Sequence, residues 1–465
     1  MKEFKTNFND GTGELNIQYE GASGTTDATV TSDCNCGEDR TVQVNFITDD
    51  GGASKTVTVN QEGVREQFIP SDQTEGIRGS DGELFLGIKE KYANNMIECC
   101  KPAATNIIYI NQLESDSAKM ISGDVNGDVI QWIRNNSHRV LAKKTGEGTM
   151  TYAVLDDNNS TLYSDGTTAD LTGAEGDVFV KLPTFYYAGN DDGTGASGDN
   201  VEIKFSKEPF ENSIEWDTNI LIGAYEAYYG DNKLQSISGV ESSGRISQTD
   251  FKQYARNRGT GYQIVDWQMH CVLGCLFYAM YGDTNSQAIC GAGTSDYNKV
   301  TGQTNILGMN DTVASVNGNS QSVNFWGLEN WWGNKNEFAE GLTSTAKHYV
   351  ETEVPDPFPG RNFYWSCDQT YGRHLRFGRY LDLACDTSDN GGSNIYYCDD
   401  NYGPSKASLV LDRSYYGSVT FCGVAYAYAN NDASYMNRRY GSRLAFRGIC
   451  AEETDIAAFK SLPVL

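Results

Sequence analysis

Apolar and polar residues alternate at a period of two through the first 65 residues, in GELNIQYEG, TDATVTSDC, RTVQVNFITDD and KTVTVNQEG. Successive side chains of a strand point to opposite faces, so this alternation predicts half-buried β-strands. Gly, Asp, Asn and Ser turns separate them, and several short strands at this spacing predict a small β-sandwich over residues 1–65. Residues 66–83 carry Pro70, three glycines and clustered charge, which reads as a linker. Beyond it the pattern predicts a β-rich connecting region over 84–174 and a larger domain over 175–465.

Within that larger domain the apolar period changes to that of a helix. Ser247 followed three residues later by Asp250 is a capping-box pattern, and Gly259 can close the helix it opens. A second helix starts near Asp266, places Met269, Val272, Leu273, Leu276, Phe277 and Met280 on one face, and stops at Gly282. Two helices followed by a β-rich, loop-heavy half make an α+β plan with an all-β N-terminal domain.

The last third changes character again. About a dozen of the 28 tyrosines lie between Tyr364 and Tyr440, between the tryptophan cluster of Trp326, Trp331 and Trp332 and the closing segment GSRLAFRG. Tyrosine and tryptophan give large contact area at small entropic cost, and Ser, Asn and Gly give adaptable hydrogen bonds, so this composition reads as recognition. The competing reading is that these tyrosines fill strands and pack across a sheet. Asn430, Asn431, Asp432, Ser434 and Asn437 are poor strand formers and place part of the tract on loops.

Composition narrows the class. The 465 residues are 12% aromatic and 21% charged, which describes a folded chain, since disorder needs few aromatics and high charge. The formal charge of −26 argues against a nucleic-acid partner, which requires a basic stripe, and against anionic membranes. With no apolar leader after Met1 and no run of 18 apolar residues, the expectation is folding in a reducing cytoplasm, without membrane insertion. The twelve cysteines lack zinc-ribbon spacing and read as buried thiols.

Candidate chemistry is sparse. The four histidines form no His-x-x-x-His pair, and there is no nucleophile elbow or phosphate-cradling glycine loop. His270 beside Cys271 is the weak candidate for a Cys/His pair. Asp124-Val-Asn126-Gly-Asp128 looks like the start of a calcium loop, but Val129 and Asn135 stand where an EF-hand needs glycine and a carboxylate. Glu329, Glu337 and Glu340 sit among tryptophans, where desolvation raises a carboxyl pKa; they are the best candidates for an acid pair of glycosidase type.

Two resemblances add to this reading. The segment TVTVNQEG resembles the last strand of bacterial immunoglobulin-like modules of the BACON type. Further along, IQWIRNNSHRVLAKKTGEGTMTY, GAEGDVFVKLPTFYY, YARNRGTGYQIVDWQMHCVLGCLFYAMYGDTNSQAICG, VNFWGLENWWGNKNEF and GSRLAFRG together resemble structural proteins of gut Bacteroidales phages, including crAss-like phages. Their C-terminal domain has the C-type lectin-like or formylglycine-generating-enzyme-like fold, and the resemblance runs over residues 110–451. It implies a sheet closed by Arg443, Phe446, Arg447 and Gly448, anchored with Trp326, Trp331 and Trp332.

The same resemblance implies a ligand face at Tyr415, Tyr416, Tyr426, Tyr428, Asn430, Asn431, Tyr435 and Asn437, to which Tyr364, Trp365, Tyr396, Tyr397 and Tyr402 of the same tract are added. The copper-binding cysteines of formylglycine-generating enzymes have no counterpart in SYMNRRYGSRLAFRG, and the Glu-Pro-Asn or Gln-Pro-Asp triplet of calcium-dependent lectins is missing. The resemblance therefore implies a cofactor-free, metal-independent and non-enzymatic virion protein. It would be a head or tail fibre, or a decoration protein, that binds a host-surface glycan or protein and contacts other virion proteins. It is expected as a homotrimer, or failing that a dimer. The alternatives are a purely structural decoration protein and a capsule-degrading enzyme.

Overall fold

A computed structural model of the protein describes side chains over residues 105–190, 200–312, 322–342, 344, 375, 377–383, 407–415 and 423–464, and elsewhere the backbone of strands alone. The chain divides into two compact units, Met1–Pro102 and Ala103–Leu465.

In the first unit the period-two segments are strands. Phe4–Asn7, Glu14–Glu20 and Asp27–Ser32 form an antiparallel sheet, and Arg40–Ile47 pairs with Ser54–Gln61 in the register Val42↔Val59 and Val44↔Val57. Ile77–Arg78, in the expected linker, pairs with Leu84–Phe85 just beyond it.

The second unit is built on three larger sheets. The largest runs in the order Asn159–Tyr163, Thr149–Asp156, His138–Gly146, Asp177–Lys181, Ile220–Gly223, Leu444–Arg447, Tyr262–Ile264, with Ile449–Glu452 parallel to Thr149–Asp156. Its register Val140↔Phe179 crosses the boundary expected at residue 174. That boundary falls inside one sheet, because turn and linker composition reports local chain reversal while strand pairing joins distant segments. The closing strand Leu444–Arg447 lies between two others, with Phe446 opposite both Leu221 and Tyr262.

A five-stranded sheet joins Thr105–Asn111 to Asn200–Ser206 and three further strands. A six-stranded sheet places Ala427–Asp432 beside Leu409–Arg413, which in turn pairs with Asn336–Phe338; Tyr440–Gly441 lies on the far side of the latter.

The helices Gln248–Arg256 and Trp267–Tyr281 carry the caps their sequence announces. Ser247 accepts from the Asp250 amide and Asp266 from the Met269 amide, each cap contributing about 1 kcal/mol. Gly282, at φ 65°, ends the second helix in the left-handed conformation that glycine adopts without a Cβ penalty. Thirteen of that helix's 15 residues are buried, so the helix expected to be apolar on one face is buried nearly all round. The residues between its large apolar positions are small or weakly polar (His270, Cys271, Gly274, Cys275 and Ala279), and a helix apolar all round is buried all round. Among the described residues no helix is long and apolar enough to cross a membrane.

The calcium-like Asp124–Asp128 run is a turn into the helix Asp128–Asn135. Asp124 Oδ2 accepts from the Ile107 amide at 3.0 Å, and its carbonyl accepts from Asn106 Nδ2 at 2.6 Å. These bonds fasten the helix to the strand Thr105–Asn111.

Candidate functional site

The tryptophan segment and the closing strand meet in a buried polar frame. Trp326, Trp331 and Trp332 are at most 1% exposed. Trp326, Asn330 and Asn334 adopt left-handed φ angles of 54°, 51° and 59°, a conformation that asparagine tolerates and a bulky tryptophan rarely adopts. The surrounding frame therefore holds Trp326 against its own preference.

Asp311 Oδ1 accepts from the Trp326 amide at 2.7 Å and the Arg134 guanidinium lies 5.1 Å from the centre of the Trp326 ring, while fully buried Arg443 fastens the residues that follow. Its guanidinium donates to the carbonyls of Gly223, Ala224, Glu329 and Asn330 and to both Glu337 oxygens, at 2.8 to 3.2 Å. Arg413 reaches the same Glu337 carboxylate at 2.6 Å and lies 3.4 Å from the centre of the Trp331 ring. Phe446 meets Tyr262 edge to face, and Arg447 pairs with Asp266 at 2.8 Å.

All three carboxylates proposed for acid chemistry have partners here. Glu337 is shared by two arginines. Glu329 accepts from the Gly302 and Thr304 amides and from Thr304 Oγ1 at 2.7 to 2.9 Å, and burial pushes its pKa up. Glu340 pairs with Arg256 at 3.2 Å. Each carboxylate accepts from its own donors.

Sequence reasoning passed over Glu226, Arg139, Asp412 and Arg413. Glu226 is buried, accepts from Ser242 Oγ at 2.8 Å and from Asn334 Nδ2, and is pushed up to about 7 by burial and then by the nearby Glu337 charge. Burial also raises Asp412 well above the carboxylate range. Arg139 donates to the Gly327 carbonyl, Asn324 Oδ1 and Thr304 Oγ1 at 2.6 to 2.9 Å. No sequence signal marks these residues, because most of their partners lie more than 75 residues away.

His270 is fully buried between Trp267 and Trp331, with ring centres 4.4 and 6.3 Å distant. Neither ring nitrogen has a hydrogen-bond partner among the described residues. Burial, and then the Arg413 charge, lower its pKa well below the usual value. Burial also holds the Cys275 thiol, one helical turn on from Cys271, well above its usual range, a disposition opposite to that of an activated nucleophile. Among the described residues no three His, Cys, Asp or Glu side chains converge as a metal-binding group.

The tyrosine tract is split by the strand Ala427–Asp432. Ala427 and Ala429 face the core, while Tyr428, Asn430 and Asp432 alternate outward. Tyr426, expected on the ligand face, is 3% exposed and stacks on half-buried Tyr415 at 5.3 Å. It belongs to the core, because it lies just before the strand, where the chain is still packed inward. Tyr364 and Tyr402 lie in strands whose side chains are outside the described residues, and Trp365, Tyr396, Tyr397 and Tyr416 are outside them entirely.

The open part of the surface is the run from Tyr428 to Arg439. Here three asparagine amides donate to three tyrosine hydroxyls: Asn430 to Tyr428 at 3.2 Å, Asn431 to Tyr440 at 3.0 Å and Asn437 to Tyr435 at 3.2 Å. Asn437 also accepts from the Arg439 amide through Oδ1, and from the Arg245 and Tyr440 amides through its carbonyl. Asn431 and Asn437, expected to touch ligand, therefore organise the loop. Tyr435 packs edge to face on Tyr440, with ring centres 5.0 Å apart, and stays 36% exposed; Met436 beside it is 60% exposed. The result is a fixed aromatic and thioether surface standing on a sheet.

No family model matches the chain, and no curated protein is similar to it. Among solved structures, it is similar to a chain described as a Major Tropism Determinant U1 variant. The two share 11% identity over 68% of this chain and 72% of that chain, with a TM-score of 0.25, a superposition too loose to define a common fold.

Proposed function

We propose that this is a non-enzymatic binding protein of a phage particle, a head or tail fibre or decoration protein. In this reading it recognises a receptor on the host surface through a lectin-like second unit, and an immunoglobulin-like first unit serves as spacer or docking element. The observation that carries the reading is the exposed run 428–439, where tyrosine and methionine are presented by asparagine-to-tyrosine bonds that lower the entropy lost on binding. The engaged state of Glu329, Glu337 and Glu340 favours binding over acid–base catalysis. Assembly as a trimer, or else a dimer, follows from the symmetry usual for fibres.

Binding of the purified protein to host-type cells, with capsule-deficient cells alongside and native mass measured in parallel, tests the reading. Saturable binding by an oligomer is expected. A folded oligomer that fails to bind points instead to a decoration protein gripping another virion component. Release of new reducing ends from capsule would make it an enzyme.

A further inference from the structure

The loop 432–439 carries positive charge that a chain of net −26 has little general use for. Arg438 is exposed, with its guanidinium 4.7 Å from the centre of the half-exposed Tyr297 ring. Arg439 and Lys335 face the same ring at 5.6 and 5.9 Å. Arg245, also exposed, has its backbone fixed next to this loop by its amide bond to the Asn437 carbonyl at 2.9 Å.

Two features mark this as a built arrangement. Arg245 is held at φ 61°, which is unfavourable for a residue with a Cβ and is met most often where surrounding structure and function impose it. Next to it, Gly244 lets the two segments touch, since an added Cβ would come within 3.0 Å of the Arg438 Cα. The nearby carboxylates are partly engaged in their own turns: Asp432 accepts from the Ser434 amide and hydroxyl, and Asp296 from the Asn298 amide.

The geometry points to a subsite for a carboxylate-bearing saccharide, formed by Arg245 and Arg438 with the Tyr435–Met436 surface. This deepens the receptor-binding reading and rests on it. A guanidinium fork matches a carboxylate bidentately. The exposed Tyr435 ring offers a face for the apolar side of a pyranose, and its hydroxyl, already accepting from Asn437, has its proton free for an acceptor on the ligand. The remaining negative charge of the protein does not forbid an anion here, because at physiological ionic strength charges beyond about 8 Å are screened. An acidic peptide would satisfy the arginines but leave the aromatic surface less well matched.

The test uses the full chain, with hyaluronan, polygalacturonate and polysialic acid as acidic saccharides, dextran as the neutral control and polyglutamate as the acidic peptide. Binding to at least one acidic saccharide and not to dextran is expected. The double variant Arg245→Gly, Arg438→Ala should weaken it roughly tenfold or more with an unchanged melting temperature, since glycine fits the φ at 245. Arg438→Lys should recover part of the loss. Equal binding of dextran, undiminished binding by the double variant, tighter binding of polyglutamate, or no binding of any acidic saccharide overturns the proposal. Cell binding that survives the double variant and fails in Tyr435→Ala sinks the saccharide subsite alone, whereas absence of cell binding by the unaltered protein removes the receptor reading itself.

Discussion

The segments 326–338 and 427–440 use similar vocabularies, aromatic rings with asparagine and arginine, and put them to opposite use. In the first, the rings are buried and the polar atoms meet partners far away: Glu337 is bonded to Arg413 and Arg443, 76 and 106 positions distant. In the second, the asparagine-to-tyrosine bonds span two to nine positions, and the rings of Tyr428 and Tyr435 remain partly open to solvent. Long-range partners tie the first segment to the cooperative core. Short-range partners give the second much of its shape locally.

The contrast breaks first at Glu337. Glu337→Gln leaves two buried guanidinium groups facing a neutral amide, and a loss of about 3 to 5 kcal/mol in urea unfolding is expected. A loss under 1 kcal/mol would mean that the frame is not cooperative.

The frame should also respond to pH, with two opposing contributions. The folded pKa of Glu226 is raised from 4.5 to about 7, so its contribution to stability is complete below pH 4.5 and is lost as pH rises through 7. Glu226→Gln should therefore gain on the unaltered protein over that interval. The pKa of His270 is lowered from its ordinary 6.5, so its contribution is complete above that pH and is lost as pH falls below it. Thermal melts of His270→Leu should show a shallower decline on acidification. Parallel curves for either variant and the unaltered protein would refute the corresponding assignment.

Gly244→Ala sits at the border of the two regions. Crowding against the Arg438 backbone should cost about 1 to 3 kcal/mol and speed hydrogen exchange at the Arg245 and Tyr440 amides, which both donate to Asn437. Unchanged exchange would show that the loop is anchored elsewhere. The smallest stability effect belongs to Tyr435→Ala, about 1 kcal/mol or less, together with loss of cell binding. A large destabilisation would return Tyr435 to the core.

Much of the local architecture was legible in the sequence. Alternation marked the first-unit strands, and Ser247, Asp266 and Gly282 marked helix ends to within a residue, because caps and period depend on neighbours within four positions. The tryptophans expected as anchors are buried. Which tyrosines face out was not legible: Tyr426 and Tyr428 differ by two positions, yet Tyr426 is buried while Tyr428, on the strand beyond it, is half-exposed.

By itself, the sequence determined strand and helix identity, the helix caps and the concentration of tyrosine and asparagine near the end of the chain, the elements and caps being set by local sterics, hydrogen bonding and periodicity. Tertiary structure alone decided that residues 138–181 and 444–447 share one sheet, that the helix Trp267–Tyr281 is central, and that Glu337 is held between Arg413 and Arg443. It also set the Arg245 amide on the Asn437 carbonyl and the Arg438 guanidinium over the Tyr297 ring. Each depends on contacts between segments tens to hundreds of residues apart, and desolvation and charge pairing at such contacts have no representation in the linear order of residues.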